Sequence, residues 1–146
     1  IKAKLRGLGL PAKWDATFVR LDEDMALELS SLRQYVLYGW ITRRQVAELL
    51  HRQAYVKQEG QRVALSGNLM VERALGRVGL LCVDDLVEEV FSLGPRLGDV
   101  QRFLAPFRLS ALNTSFETKV LRKHDREEHG GFMGDDTMTN ALDRML

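Results

Sequence analysis

The side chains of this sequence whose types could carry catalysis or hold a metal are His51, His124, His129, Cys82 and the acids Asp84, Asp85, Glu88 and Glu89. Their spacing argues against both roles. His124 and His129 stand five residues apart, which is not the i, i+4 pairing that puts two imidazoles on one helix face around zinc. His51 adjoins Arg52 with no partner in view, so it reads as a solvated or RNA-facing imidazole. The four acids could ligate magnesium, but two of them serve equally as helix caps and two as a solvated face. Cys82, between Leu81 and Val83, reads as a small buried hydrophobe. Neither Ser66-Gly67-Asn68 nor Gly130-Gly131-Phe132-Met133-Gly134 has the lysine and following helix of a phosphate loop. No catalytic residue, metal site or cofactor is expected.

The cations say more through their distribution than through their sum. Lys and Arg number 21 against 20 Asp and Glu, a formal charge of +1 that excludes a uniformly basic nucleic-acid coat. The acids concentrate in Asp22 to Glu28 and Asp84 to Asp99. Lys2, Lys4, Arg6 and Lys13, then Arg43, Arg44, Arg52, Lys57 and Arg62, form two runs with fewer acids. Such segregation of sign offers a polyanion a surface. Trp14, Trp40 and Tyr55 lie beside these runs and Tyr38 is near, which suits stacking on unpaired bases as well as it suits core packing. Lys119, Arg122 and Lys123 add a third basic group near the C-terminus.

These residues need elements to hold them. Hydrophobic residues make up 45% and charged residues 28%, the balance of a globular domain. The single cysteine excludes an internal disulfide and fits a reducing compartment. No apolar run approaches the roughly 18 residues of a membrane span, and the start does not form a signal sequence. Ile1, Leu5 and Leu8 share a helix face that Gly7, Gly9 and Pro11 end. Trp14 to Leu21 alternates as a strand. Asp22 caps a helix bearing Met25, Leu29, Leu32 and Val36, which Gly39 ends. Thr42 caps a second helix, with Val46, Leu49 and Leu50 inward and Arg43, Arg44, Glu48 and Arg52 outward.

Farther along, Ala54 to Leu65 has apolar pairs on either side of Glu59-Gly60, the pattern of a tight hairpin. Ser66-Gly67-Asn68 opens a helix that runs through Leu75. Asp84 and Asp85 cap another, with Leu86, Val87, Val90 and Phe91 inward and Glu88 and Glu89 outward. Val100 to Leu104 makes one or two more turns. Phe18, Leu29, Leu32, Val36, Leu49, Leu75, Leu86, Val90 and Phe91 form the expected core. From Ala111 the periodicity fails, so residues 111–146 read as an extended tail that orders only on a surface, with Ala141, Leu142 and Met145 spaced for a short terminal helix.

Gly39-Trp40, Val63 to Asn68, Ala74 to Gly94 (ALGRVGLLCVDDLVEEVFSLG) and Phe103 to Ser110 (FLAPFRLS) together form a pattern that resembles the eukaryotic large-subunit ribosomal protein seven family, whose bacterial relative is large-subunit protein thirty. The family's Leu-Gly-x-x-Gly-Ile-Ile-Cys-x-Glu-Asp-Leu is similar to Leu75 through Leu86, and its Phe-Leu-x-Pro-Phe-x-Leu-Ser to Phe103 through Ser110. The resemblance spans most of Ile1 to Ser110 and is loose in the tail. It implies an α+β domain over 1–110, with helices on a small antiparallel sheet, and a tail over 111–146. It also implies that a first strand and a basic extension precede Ile1. The expected partners are large-subunit rRNA or its precursor, with neighbouring ribosomal proteins and assembly factors, and neither a membrane nor a small-molecule substrate.

Departures from the family pattern bear on function. Its basic stretch after the second helix pair is represented by His51-Arg52-Gln53-Ala54-Tyr55-Val56-Lys57, and its lysine-rich Gly-Gly-Met tail by Asn113 through Lys119, so several phosphate-contacting positions are neutral or acidic. The family includes a paralogue that occupies the same rRNA neighbourhood in nucleolar precursors and leaves before maturation. The drift points to that assembly factor, with the mature cytosolic ribosomal protein as the second reading. RNA contact is expected from Lys2, Lys4, Arg6, Lys13, Trp40, Arg43, Arg44, Arg52, Lys57, Arg62, Lys119, Arg122 and Lys123, and the acidic helix from Asp84 to Phe91 is expected to turn away from RNA.

Overall fold

The computed structural model describes residues 1–110 and 135–146. Its contacts group into two compact units. The larger holds Lys2–Phe18 with Arg43–Arg108, and the smaller holds Ile1, Val19–Thr42 and the described part of Leu109–Leu146.

In the larger unit, helix α1 (Lys2–Gly7) is closed by Gly9 N–H to Arg6 and Leu10 N–H to Leu5. The predicted strand from Trp14 to Leu21 shrinks to β1 (Asp15–Ala16), which pairs antiparallel with β4 (Phe107–Arg108) in the register Asp15 to Arg108 and Ala16 to Phe107. Continued by one residue, the register would set Thr17 opposite Pro106, which has no amide N–H to donate. The Phe18 carbonyl accepts from Gln101 Nε2 at 2.6 Å, and the half-buried Phe18 ring meets Phe107 edge to face at 5.4 Å.

The hairpin forms as its sequence predicts. β2 (Tyr55–Gln58) and β3 (Gln61–Ala64) close on a two-residue turn in which Glu59 (φ 50°) and Gly60 (φ 76°) are both left-handed, the geometry that matches strand twist. The far edge of β2 is also occupied, by a Val56–Leu104 bridge and by Ala105 N–H donating to the Tyr55 carbonyl at 2.8 Å. Two short antiparallel pairs thus meet through residues 104 and 105.

Helix α3 (Arg43–Arg52) starts directly after Thr42 and packs on α5 (Val83–Phe91). The buried residues of α5, Val83, Leu86, Val87 and Val90, are spaced i, i+3, i+4, i+7, a single stripe. Phe91 lies beyond that stripe in the last helical position and is 48% exposed, so its predicted place in the core is corrected. The start of α5 is corrected too. Asp84 and Asp85 do not precede the helix; Cys82 is its N-cap, and Asp85 reaches back from the third helical position to accept from Leu81 N–H (2.8 Å) and Cys82 N–H (3.3 Å). A third orphan amide, Val83 N–H, donates to Asn68 Oδ1 at 3.0 Å, from the first residue of α4 (Asn68–Leu75). Cys82 is accordingly half-buried and not a core residue. A 3-10 turn (Gly76–Val78) and α6 (Leu97–Phe103) complete the unit, α6 packing on α4, α5 and β2.

In the smaller unit, Asp22 caps α2 (Glu23–Ser31) by accepting from Met25 N–H at 2.8 Å. The helix ends at Ser31, well short of Gly39. Ser31 Oγ donates to the Glu28 carbonyl at 2.7 Å, the local competition by which serines weaken helix interiors, and Leu32 to Val36 continue as turns. Leu29, Leu32 and Val36 are buried nonetheless. The tail ends in α7 (Asp135–Met145), with Ala141, Leu142 and Met145 buried and Ser110 N–H donating to the Met145 carbonyl at 3.1 Å. The remainder of the predicted tail, 111–134, lies outside the described residues. Among the described residues no helix is long and apolar enough to cross a membrane.

Candidate nucleic-acid interface

The predicted RNA-contacting side chains divide by environment. Lys2, Lys4 and Arg6 are exposed on α1, and Lys13 is exposed four residues after Gly9 reverses the chain. The Lys13 ammonium lies over the Trp14 ring, 5.2 Å from its centroid. Arg52 and Lys57 are exposed at the end of α3 and on β2. All six are exposed cations.

Helix α3 is less available than its composition suggests. Arg43 forms an ion pair with Glu88 of α5, Arg44 pairs with Glu48 one turn along at 3.3 Å, and His51 Nε2 stands 2.9 Å from Asp84 Oδ1. The helices run antiparallel, so Glu88 near the end of α5 meets Arg43 at the start of α3, and Asp84 near its start meets His51 near the end of α3. Two of the four acids predicted to face away from RNA, Asp84 and Glu88, are therefore engaged by a helix predicted to face it, a pairing invisible until residues 43–51 and 84–88 are brought together. Glu89 instead accepts from Arg96 N–H, and Asp85 from the amides just before α5. The Asp85 carboxyl is held below the ordinary 3.8, chiefly by the Leu81 N–H, with Cys82 bonds adding to this against an opposing desolvation.

Arg62 is the other departure. It is half-buried, its guanidinium lies 3.8 Å from the centre of the Tyr55 ring, and Nη2 donates to the Pro106 carbonyl at 3.3 Å, while Nε is buried without a hydrogen-bond partner. Its directional bonds hold the hairpin to the chain before β4, which makes it a packing residue first. No signal in a lone Arg of an alternating strand separates these roles. Trp40 is 53% exposed, in the smaller unit. Lys119, Arg122 and Lys123, like His124 and His129, lie outside the described residues. Arg108, exposed on β4 opposite Asp15, and the exposed Arg33 and Arg77 are cations outside the predicted set. Among the described residues no group of three or more His, Cys, Asp or Glu side chains could hold a metal ion.

No protein-family model matches the sequence. Curated proteins do. The chain is 32% identical over 136 residues to large ribosomal subunit protein uL30A of Schizosaccharomyces pombe, an alignment covering 93% of this chain and 55% of that protein. It is 35% identical over 133 residues to uL30 of Neurospora crassa, covering 90% and 52%, and 28% identical over 130 residues to uL30 of Tetrahymena thermophila, covering 89% and 54%. The chain thus spans about half the length of the curated relatives it matches. With a mixed α+β architecture of small antiparallel pairs and packed helices, and about nine-tenths of its residues aligned at up to 35% identity, the chain is similar to the uL30 proteins of the large ribosomal subunit over about half of their length.

Proposed function

We propose that this chain is a non-catalytic rRNA-binding protein that acts in assembly of the large ribosomal subunit, in nucleolar precursor particles, through the surface of its 1–110 domain. The observation that carries the rRNA reading is the alignment with relatives that are named as large ribosomal subunit proteins. The assembly role is supported by charge. An assembly factor must leave, and each phosphate contact removed weakens binding and so eases release. Here Arg43 and Arg44 are answered by Glu88 and Glu48, and family-basic positions from Asn113 to Lys119 are largely neutral or acidic. Its partners are large-subunit rRNA or its precursor, neighbouring ribosomal proteins and other assembly factors.

A second reading, a structural protein of the mature cytosolic subunit, is favoured by the relatives' names, which are those of ribosomal proteins. Sedimentation of cell extracts separates the two. The assembly role predicts the protein in nucleolar precursors and its depletion from polysomes, whereas persistence in polysomes supports the second reading. Absence from both would overturn the rRNA reading itself.

A further inference from the structure

Three aromatic side chains lie near cations in the sequence, and the structure separates them. The Tyr55 face is covered by Arg62 at 3.8 Å, and that guanidinium is tied to Pro106. Trp40 lies in the smaller unit between Gly39 and Ile41, neither of them charged. Trp14 is different. It is half-buried, it belongs to the larger unit, and its backbone is left-handed at φ 65°, a conformation that bulky L-residues avoid. Local bonds hold it there. Ala12 N–H donates to Asp15 Oδ2 at 2.9 Å, Asp15 N–H approaches the Ala12 carbonyl at 3.4 Å, and Asp15 itself is anchored in the β1–β4 register.

Charge around this turn is one-sided. Residues 2–18 contain Lys2, Lys4, Arg6 and Lys13 against Asp15 alone, and the Asp15 carboxylate is already taken by Ala12 N–H. Gly9, at the end of the α1 cap, lies against Thr17, so the helix carrying these cations ends beside the strand that follows Trp14. The Lys13 ammonium over the Trp14 ring is an exposed cation–π contact, weak in water and readily exchanged. Across β1, Arg108 adds an exposed cation opposite Asp15.

We infer that the Pro11 to Trp14 turn is a stacking site for one unpaired base of RNA, with Trp14 taking the base face and Lys13 moving from the ring to the adjoining phosphate. The inference rests on the rRNA-binding reading and narrows it to a nucleotide outside a duplex. In a helix both faces of a base are already stacked, so an aromatic platform discriminates for looped or single-stranded nucleotides. The strained backbone sets the indole in place before RNA arrives, so little ordering remains for the binding step.

With two tryptophans in the chain, Trp40→Phe leaves Trp14 as the sole indole reporter. That variant is titrated with a single-stranded RNA oligonucleotide and with a hairpin duplex of equal length. Quenching of Trp14 by the single strand and not by the duplex is expected. Trp14→Leu should weaken single-strand binding about tenfold and duplex binding hardly at all, Trp14→Phe should fall between, and Lys13→Gln should keep the quench while making the salt dependence shallower by about 0.7. If Trp14→Leu does not fold, the quench in Trp40→Phe decides. Single-strand binding without quenching, or with affinity unchanged in folded Trp14→Leu, overturns the stacking site and leaves the rRNA reading intact. Failure of the wild-type protein to bind either RNA overturns both.

Discussion

Asp85 and Arg62 each hold two parts of the chain together through a charged side chain. Asp85 stabilises the fold by accepting, as a carboxylate, from the Leu81 and Cys82 amides just before α5. Its folded-state pKa is depressed, so this contribution is present above its unfolded pKa and is lost as pH falls through the lower, folded value. Asp85→Asn is expected to cost about 0.5–2 kcal/mol at neutral pH, as cap removal does, and to flatten the acid limb of the melting profile below about pH 4. Melting curves of the two proteins from pH 7 to 2 check this; parallel curves would remove Asp85 from the account. For Arg62, the ring contact and the Pro106 bond predict that Arg62→Ala costs roughly 1–2 kcal/mol in denaturant unfolding and barely changes the salt dependence of RNA binding. A lowered salt slope with unchanged stability would make it a phosphate contact instead.

At the scale of elements, α3 and α5 act as a pair with two faces. Inside, Val46, Leu49 and Leu50 and the Leu86 stripe are buried, and Leu86 is fully so. Leu86→Ala is expected to cost about 2–5 kcal/mol, read from the midpoint of urea unfolding. Outside, Arg43 and Glu88 are each more than half exposed, so their ion pair adds little to stability, on the order of 0–1 kcal/mol. Its consequence is for binding. While Glu88 holds Arg43, a phosphate must compete for it. Glu88→Gln should leave the melting temperature nearly unchanged while raising RNA affinity and steepening the salt slope by about 0.7, and an unchanged slope would place α3 away from RNA.

For the whole molecule, a charge of +1 means that attraction to RNA depends on where cations stand and not on their total. The exposed cations of the predicted set that, among the described residues, meet no acid are Lys2, Lys4, Arg6, Lys13, Arg52 and Lys57. If all six meet phosphates of single-stranded RNA, log affinity should fall with log salt with a slope of about 4, at roughly 0.7 per contact. A slope near zero in a titration from low to physiological salt would contradict a phosphate-facing surface. Co-sedimentation with precursor particles then asks the same question in the cell.

Much of the architecture was legible because it depends on near neighbours in the chain. The Glu59-Gly60 turn, the Asp22 cap and the terminal helix with Ala141, Leu142 and Met145 inward follow from local backbone preference and periodicity. The resemblance to large-subunit ribosomal proteins, too, was carried by contiguous segments such as Leu75 to Leu86. What sequence could not show depends on groups far apart in the chain. Asn68 capping Val83, Gln101 donating to the Phe18 carbonyl, Arg62 lying on Tyr55 and reaching Pro106, and Glu88 of α5 pairing with Arg43 of α3 are each set by which elements pack together. A charge's partner is a property of distance in space, and the Coulomb attraction that silences Arg43 exists only once folding has brought Glu88 beside it.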